Sequence, residues 1–412
     1  MCHAICGPRS GAAIGGSMKS LNLCAAVAQA YAQAEGPVSQ EELYDAVART
    51  TGVSSDAFNE RRPVGQAQAQ VSLLKRRVRW YQQTLKHAGV IEPAGERGVW
   101  KLTGKGLDGS GLPLVADGTA ILGFSTELGI AVISSCEHFF SKVSEPIHLI
   151  VTSPPYPLAQ PRAYGNVSEV RYVDWLCKVL EPVVRNLVQG GSICLNVGND
   201  IFMPNSPARS LYRERLVLAL HARLGLYKMD EIIWTSPKPP GPVAWASKKR
   251  VQLNTGYEPV YWLTNDPDRV LADNRRVLQP HTEEHLRFVR SGGVKRESVH
   301  SDGAYRKRIG AYGGETSGRI PKNVLEFARC AEDRDQAYRR YCAEYGLAPH
   351  GASMPVRLAK FLIEYLTEKG QLVVDGLAGR CKVGLAAEEL GRRWICVDRQ
   401  AQSVIGARAQ FV

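Results

Sequence analysis

The residues able to do chemistry in this chain stand at the ends of hydrophobic runs. Ser153-Pro154-Pro155-Tyr156 follows directly on Ile147, Leu149, Ile150 and Val151. Three of those four apolar residues are β-branched, which suits a buried strand, and the two prolines then end the pairing and stiffen the backbone. A hydroxyl, a fixed carbonyl and an aromatic ring are thereby presented together at the C-terminal tip of a strand, where ligands bind in open α/β sheets. A second group lies near the far end of the chain. Leu372-Val373-Val374-Asp375 reads as a strand ending in an acid, Gly376–Gly379 as a tight turn, and Trp394–Asp398 as a second strand ending in an acid. With a helix over Val383–Leu390, this is a βαβ nucleotide-binding unit. Its glycine turn lets a ligand approach the backbone, and Asp398 can hold both hydroxyls of a ribose.

These groups need elements to position them. Strands are expected at Ala131–Ser134, Ile147–Val151, Ser192–Val197, Lys228–Trp234 and Tyr257–Leu263. Helices are expected at Tyr172–Leu187 (closed by Gly190–Gly191), Ala208–His221 and Pro355–Thr367. Alternation of strand and helix predicts an α/β sheet with helical crossovers. The N-terminal part has a different pattern. Leu21–Ala34 is a helix; Ser39, with Glu42 three residues on, is a capping box that opens a second; a third is expected over about Gln66–Ala88. The third carries Lys75, Arg76, Arg77 and Arg79 on one face, and a hairpin at Val90–Glu92 and Val99–Leu102 follows. Three helices and a two-stranded wing describe a winged helix. Gly104–Gly118 reads as a linker, Met1–Ser17 as a flexible tail, and Arg269–Arg329 as an irregular, Arg- and Gly-rich stretch, either a DNA-facing insertion or a plain surface loop.

Composition narrows the class. The 412 residues suffice for two or three domains, and 44% hydrophobic with 22% charged residues is ordinary for a globular protein. A formal net charge of +12 favours a polyanionic partner, with nucleic acid first. No stretch has the apolar length to span a bilayer. The ten cysteines are scattered, without a Cys-x-x-Cys pair or zinc spacing, so no metal centre and a reducing, cytoplasmic compartment are expected.

Ser153-Pro154-Pro155-Tyr156 resembles the catalytic motif of the DNA amino-methyltransferases, in the form typical of enzymes that modify cytosine N4. Asp-Pro-Pro-Tyr is the form typical of adenine N6 enzymes. Because the amine-methylating motif comes first and the βαβ unit last, the chain resembles the circularly permuted β class, and within it the PvuII-type cytosine-N4 enzymes of restriction–modification systems. The resemblance runs from about Ile147 to Val412 and includes Tyr164-Gly165-Asn166, Tyr172-Val173-Asp174-Trp175 and Pro207-Ala208-Arg209-Ser210. It also takes in Ile320-Pro321-Lys322-Asn323, Leu366-Thr367 and Gly391-Arg392-Arg393-Trp394-Ile395. The pattern from His87 to Thr103 is similar to the winged-helix domain found beside bacterial restriction enzymes.

The resemblance implies a Rossmann-like, circularly permuted S-adenosylmethionine (SAM)-dependent methyltransferase sheet over residues 111–412, with a DNA-recognition insertion around 235–330, and a winged-helix DNA-binding domain over 18–110. It implies SAM as cofactor, double-stranded DNA as substrate and a cognate restriction endonuclease as partner. Ser153 and the Pro154 carbonyl would accept hydrogen bonds from the target amine, with Pro155 stiffening the turn and Tyr156 stacking on a flipped base. Asp375 would lie near the methionine amino group, Gly379 would give backbone access, and Asp398 would hold the ribose. Lys75, Arg76 and Arg79, and separately Lys248, Lys249 and Arg250, would meet DNA phosphates. The loop departs from the family's Asp-Pro-Phe-x-Gly-Ser-Gly-Thr-Thr-Gly: Leu377 replaces the cofactor-packing Phe, and Arg380-Cys381-Lys382 replaces Ser-Gly-Thr. The family's Gly-Asp pair aligns with Ser134–Ser135. An adenine-N6 enzyme and a non-catalytic DNA-binding homologue are the alternative readings.

Overall fold

The computed structural model describes residues 23–64, 69–87, 90–103, 118–158, 167–236, 243–299, 302–303, 305–328, 333–351 and 353–411. The expected tail, Gly89, nearly all of the Gly104–Gly118 linker, Tyr164-Gly165-Asn166 and Pro237–Pro240 lie outside them.

The N-terminal part holds α1 (Leu23–Gln33), α2 (Gln40–Thr51), α3 (Ser55–Asn59), the antiparallel strands β1 (Arg61–Val64) and β2 (Ala69–Ser72), and α4 (Leu73–His87). The hairpin β3 (Ile91–Pro93) and β4 (Trp100–Leu102) follows. The capping box forms as expected: Glu42 N–H donates to the Ser39 hydroxyl at 3.4 Å, and Ser39 N–H donates to Glu42 at 2.8 Å. The third long helix starts later than its periodicity suggested. Residues 69–72 alternate instead, and their pairing Arg61↔Ser72 to Val64↔Ala69 takes them into a strand. Backbone bonds to a neighbouring segment outweigh a weak local helix preference.

Nine strands make the large sheet: β5 (Ala120–Ser125), β6 (Gly129–Ser134), β7 (Ile147–Thr152), β8 (Leu187–Asn196), β9 (Tyr227–Thr235), β10 (Tyr257–Thr264), β13 (Val324–Glu326), β14 (Leu372–Asp375) and β15 (Arg393–Asp398). The small exposed ladder β11 (Ser298–Val299) with β12 (Arg306–Lys307) stands apart. The sheet order is β13-β9-β10-β8-β7-β14-β15-β6-β5. β5 and β10 run against the other seven. The sheet is therefore mostly parallel, and the sequence-distant β7 and β14 lie side by side, as the permuted order requires.

Helices cover both faces, because parallel strands must be buried on both sides. One apolar cluster joins α10 (Val356–Leu366), α11 (Lys382–Glu389) and α12 (Ala401–Ala407) to Leu149, Val151, Val373 and Cys396. The other joins α5 (Cys136–Phe140), α6 (Glu169–Val184) and α7 (Tyr212–Leu224) to Ile150, Ile193, Leu195 and Val374. The exposed α8 (Glu283–Arg290) has no buried residue, whereas α9 (Asp333–Tyr345) buries Tyr338, Cys342 and Tyr345 against the first cluster.

Two boundaries differ from expectation. β8 begins at Leu187 and contains Gly190 and Gly191 rather than following them. Gly190 has φ +75, and a Cβ there would stand 1.8 Å from the Arg269 carbonyl oxygen, so a close backbone approach explains the glycine. α7 begins at Tyr212, because 208–210 run back beside 201–203, with Arg209 bridging to Phe202 and Ser210 N–H donating to the Ile201 carbonyl.

Candidate active site

β7 delivers Ser153-Pro154-Pro155-Tyr156 to the C-terminal edge of the parallel strands, as expected. The register Val374↔Ile150 puts Asp375, one residue further on, beside the last turns of β7. The two chemical groups, over two hundred positions apart, therefore share one edge of the sheet. Tertiary pairing alone brings them together.

Two residues that sequence reasoning missed organise the first group. The Ser153 hydroxyl lies 3.2 Å from Asn196 Oδ1 and 3.3 Å from the Tyr156 hydroxyl. The Tyr156 hydroxyl lies 2.9 Å from both Asn196 Oδ1 and Glu258 Oε2, either of which can accept its one proton. Asn196 ends β8, and the buried Glu258 lies near the start of β10. Burial first, then the Glu258 carboxylate, push the Tyr156 hydroxyl well above the usual tyrosine range, so it is a neutral donor. The ring packs on Gly198, where a Cβ would stand 2.8 Å from it. Polar residues alternating within an apolar strand were the available signal for Asn196 and Glu258.

At the second group, burial raises the Asp375 carboxyl to about 7, partly offset by the Leu377 N–H, which donates to it at 3.1 Å. Asp398 accepts from Gly379 N–H at 2.7 Å and from Gln400 N–H at 2.8 Å. Burial raises its carboxyl too, and His350 counters this electrostatically. Gly379, at φ +50, takes a conformation suited to glycine, and its Cα faces the His350 ring: a Cβ would stand 3.0 Å from Nε2. His350 is thus a third residue that the sequence reading missed; it comes from a segment with no strong pattern. Gly376 has another cause than ligand access, since a Cβ there would stand 2.4 Å from Cys136 Sγ. Leu377 is half-buried against the second apolar cluster. Ser134 bonds to the Thr119 carbonyl, and Ser135 caps α5 by accepting from His138 N–H at 3.1 Å.

This cradle fits SAM. Asp398 could offer an acid to the ribose and Asp375 an acid to the cofactor's ammonium. The Gln400 side-chain nitrogen is buried next to Asp398 without a partner among the described residues, a donor awaiting an acceptor.

The expected phosphate contacts divide into two places. Arg76 and Arg79 are exposed on α4, while Lys75 lies over the Tyr44 ring at 4.7 Å and 3.8 Å from Glu41. Lys248, Lys249 and Arg250 are exposed. Their segment links the C-terminal end of β9 to the start of β10 and so lies on the catalytic edge, where Trp245 packs near Phe202. The stretch from Asn265 to Asn323 leaves β10 at the opposite edge, where Asp273 N–H donates to the Tyr365 carbonyl at 3.0 Å.

A mostly parallel sheet that carries a βαβ unit with two strand-end acids beside a Ser-Pro-Pro-Tyr tip, in permuted order, is an α/β architecture that binds nucleotide-like ligands at its C-terminal edge. The chain belongs to the DNA methylase family, whose model matches residues 147–407. SAM is the methyl donor of that family. A second model, the Mrr N-terminal domain, matches residues 25–110. The chain is 28% identical over 284 residues to the type II methyltransferase M.PvuII of Proteus hauseri, covering 68% of this chain and 82% of that one. Among solved structures it is similar to the PvuII DNA methyltransferase (cytosine-N4-specific), with a TM-score of 0.55 and 24% identity, over 71% of this chain and 89% of that one.

Proposed function

We propose that this chain transfers a methyl group from SAM to the N4 amine of cytosine at a specific site in double-stranded DNA, as the modification arm of a restriction–modification system. The observation that carries the reading is the Ser153 hydroxyl, held at the tip of β7 within 3.2 Å of Asn196 Oδ1. Asn196 can only accept at that oxygen, so Ser153 donates its proton there. Its lone pairs are left to accept from a substrate amine. The Pro154 carbonyl offers a second acceptor. Cytosine's exocyclic nitrogen is conjugated with its ring, and two acceptors on its hydrogens draw it toward sp³ geometry and aim its lone pair outward. Tyr156, pinned through its hydroxyl, presents a ring to the flipped base. Bound SAM supplies the electrophilic methyl. The protein's share is positioning and preorganised electrostatics, and no cysteine nucleophile is needed.

The N-terminal helices and hairpin are read as a winged helix that meets DNA through Arg76 and Arg79, and Lys248, Lys249 and Arg250 as phosphate contacts beside the site. A cognate endonuclease is the expected partner and the cytoplasm the expected compartment; among the described residues no helix is long and apolar enough to cross a membrane.

The test is transfer of tritiated methyl from SAM to unmethylated genomic DNA, followed by separation of the nucleosides. Label in N4-methylcytosine is expected. Label in N6-methyladenine would overturn the role given to Ser153. DNA binding without label on any suitable DNA would favour a non-catalytic homologue, a reading supported by the altered loop, with Arg380-Cys381-Lys382 where the family has Ser-Gly-Thr.

A further inference from the structure

Two loops meet on the catalytic edge beside Tyr156 and hold each other in place. One follows β8, from Gly198 to Leu211; the other, from Val243 to Gly256, leads into β10. A Cβ on Gly198 would stand 2.8 Å from the Tyr156 ring. The next residue, Asn199, is buried, and its carbonyl accepts from Arg209 Nη1. Arg209 Nη2 donates to the Thr255 hydroxyl at 3.3 Å, and the same guanidinium lies over the Phe202 ring at 4.8 Å. Further along the contact, Gln252 Nε2 donates to the Pro207 carbonyl at 3.0 Å, and Val251 N–H donates to the Trp245 carbonyl at 2.9 Å.

Leu253 stands between two of these anchors, Gln252 and Thr255. It is 88% exposed, more than any other large apolar side chain among the described residues. A lone exposed leucine is ordinary on a protein surface, but the surroundings of this one set it apart. Its neighbours are pinned, so it is presented by a built loop. Val251 beside it is 60% exposed, and Met203 on the first loop is 53% exposed. Lys248, Lys249 and Arg250, all exposed, come just before. Five residues further on, Glu258 lies 2.9 Å from the Tyr156 hydroxyl. Five residues of chain span at most about 18 Å, so Leu253 lies within a duplex's width of the ring read as meeting the base. Apolar surface left in water beside three cations fits a partner that is polyanionic outside and apolar within, as a DNA duplex is. Taking a base out of a duplex breaks its pair and its stacking, and proteins that open a base step insert apolar side chains there.

We propose that Leu253 is a wedge: it enters the duplex at the step the target base leaves, packs against the neighbouring bases, and holds the target out toward Tyr156, while Lys248, Lys249 and Arg250 take the flanking phosphates. The inference rests on the reading of the site as one that methylates a base taken out of duplex DNA. Leu253 touches no reacting atom and acts by positioning.

The test is single-turnover methyl transfer by the full chain and two variants, Leu253→Ala and Leu253→Met, on two duplexes built around a base whose methylation by this chain has been mapped in genomic DNA. One duplex is fully paired. In the other the nucleotide opposite the target is abasic, so the target leaves at lower cost. Relative to the parent on the same DNA, Leu253→Ala is expected to be about tenfold slower or more on the paired duplex and no more than about threefold slower on the other. Leu253→Met should stay near the parent on both, and the unfolding midpoints should not move, because the side chain is exposed. A leucine that only shaped the loop would not be rescued by changing the DNA. Leu253→Ala as fast as the parent on the paired duplex, or equally slow on both, would overturn the proposal. A parent chain that labels no base in DNA would instead overturn the reading of the site, and the proposal with it.

Discussion

The direction of one proton decides what Ser153 can do. With Asn196 Oδ1 accepting from it at 3.2 Å, the hydroxyl keeps its lone pairs for the acceptor role proposed above. Ser153→Ala is therefore expected to lower methyl transfer roughly a hundredfold or more while leaving S-adenosylhomocysteine affinity in place, checked by single-turnover transfer and calorimetry. Asp375 carries a pH dependence. Its carboxyl, near 3.8 when unfolded and about 7 when folded, binds its proton more tightly in the native state. Stability therefore falls as pH rises from about 4 to 7, by an amount on the order of 4 kcal/mol if the group stays buried. In the proposed site the cofactor's ammonium would favour the ionised form, so affinity for S-adenosylhomocysteine is expected to rise as pH passes through 7. Titrations at pH 6 and 8 check this, and Asp375→Asn should flatten the profile.

Elements place these residues through contacts that a hydrophobic pattern does not display. Gly198 lies just past β8, with the Tyr156 ring on one side and its carbonyl accepting from the Tyr212 hydroxyl on the other. Gly198→Ala puts a methyl 2.8 Å from that ring, so it is expected to cost about 1–3 kcal/mol and to displace Tyr156; activity should fall more than the unfolding midpoint suggests. Arg392 ties the end of α10 to the entry of β15, donating to the Thr367 hydroxyl at 3.2 Å and carbonyl at 2.9 Å and to the Leu390 carbonyl at 2.7 Å. Burial holds its guanidinium below the usual arginine range, and the bonds offset that cost. Arg392→Ala is expected to destabilise by about 2–4 kcal/mol in urea unfolding. These bonds give a physical meaning to two family-like stretches, Leu366-Thr367 and Gly391-Arg392.

Across the whole molecule, the N-terminal helices and the sheet share one apolar cluster, with α9 between them. Tyr81 on α4 donates to the Tyr345 carbonyl, and Arg77 lies 3.8 Å from Glu344 and over the Tyr345 ring. The basic helix read as a DNA reader thus spends two of its four cations on the protein, Arg77 on α9 and Lys75 on Glu41 and Tyr44, leaving Arg76 and Arg79 exposed. Calorimetric unfolding is expected to show one transition across both parts, and Tyr81→Phe to lower it by about 1 kcal/mol. Two separated transitions would show instead that the parts unfold independently. Arg76→Ala with Arg79→Ala should weaken DNA binding and reduce its salt slope by about 2.

The chain by itself determined the sheet class, the strand ahead of Ser153, the βαβ unit between Asp375 and Asp398, and the capping box at Ser39, because periodicity, β-branching and turn chemistry are local. The periodicity of the third helix extends too far where residues 69–72 pair with 61–64, and Gly190–Gly191, which the sequence marks as a break, is strand, because pairing and close backbone approach are not local. Tertiary structure alone decided that Asn196, Glu258 and His350 serve the site, and that Arg380 and Lys382 turn away to Asp335. Each of those residues lies far along the chain from what it touches. Only the folded sheet supplies the burial that makes such polar contacts necessary.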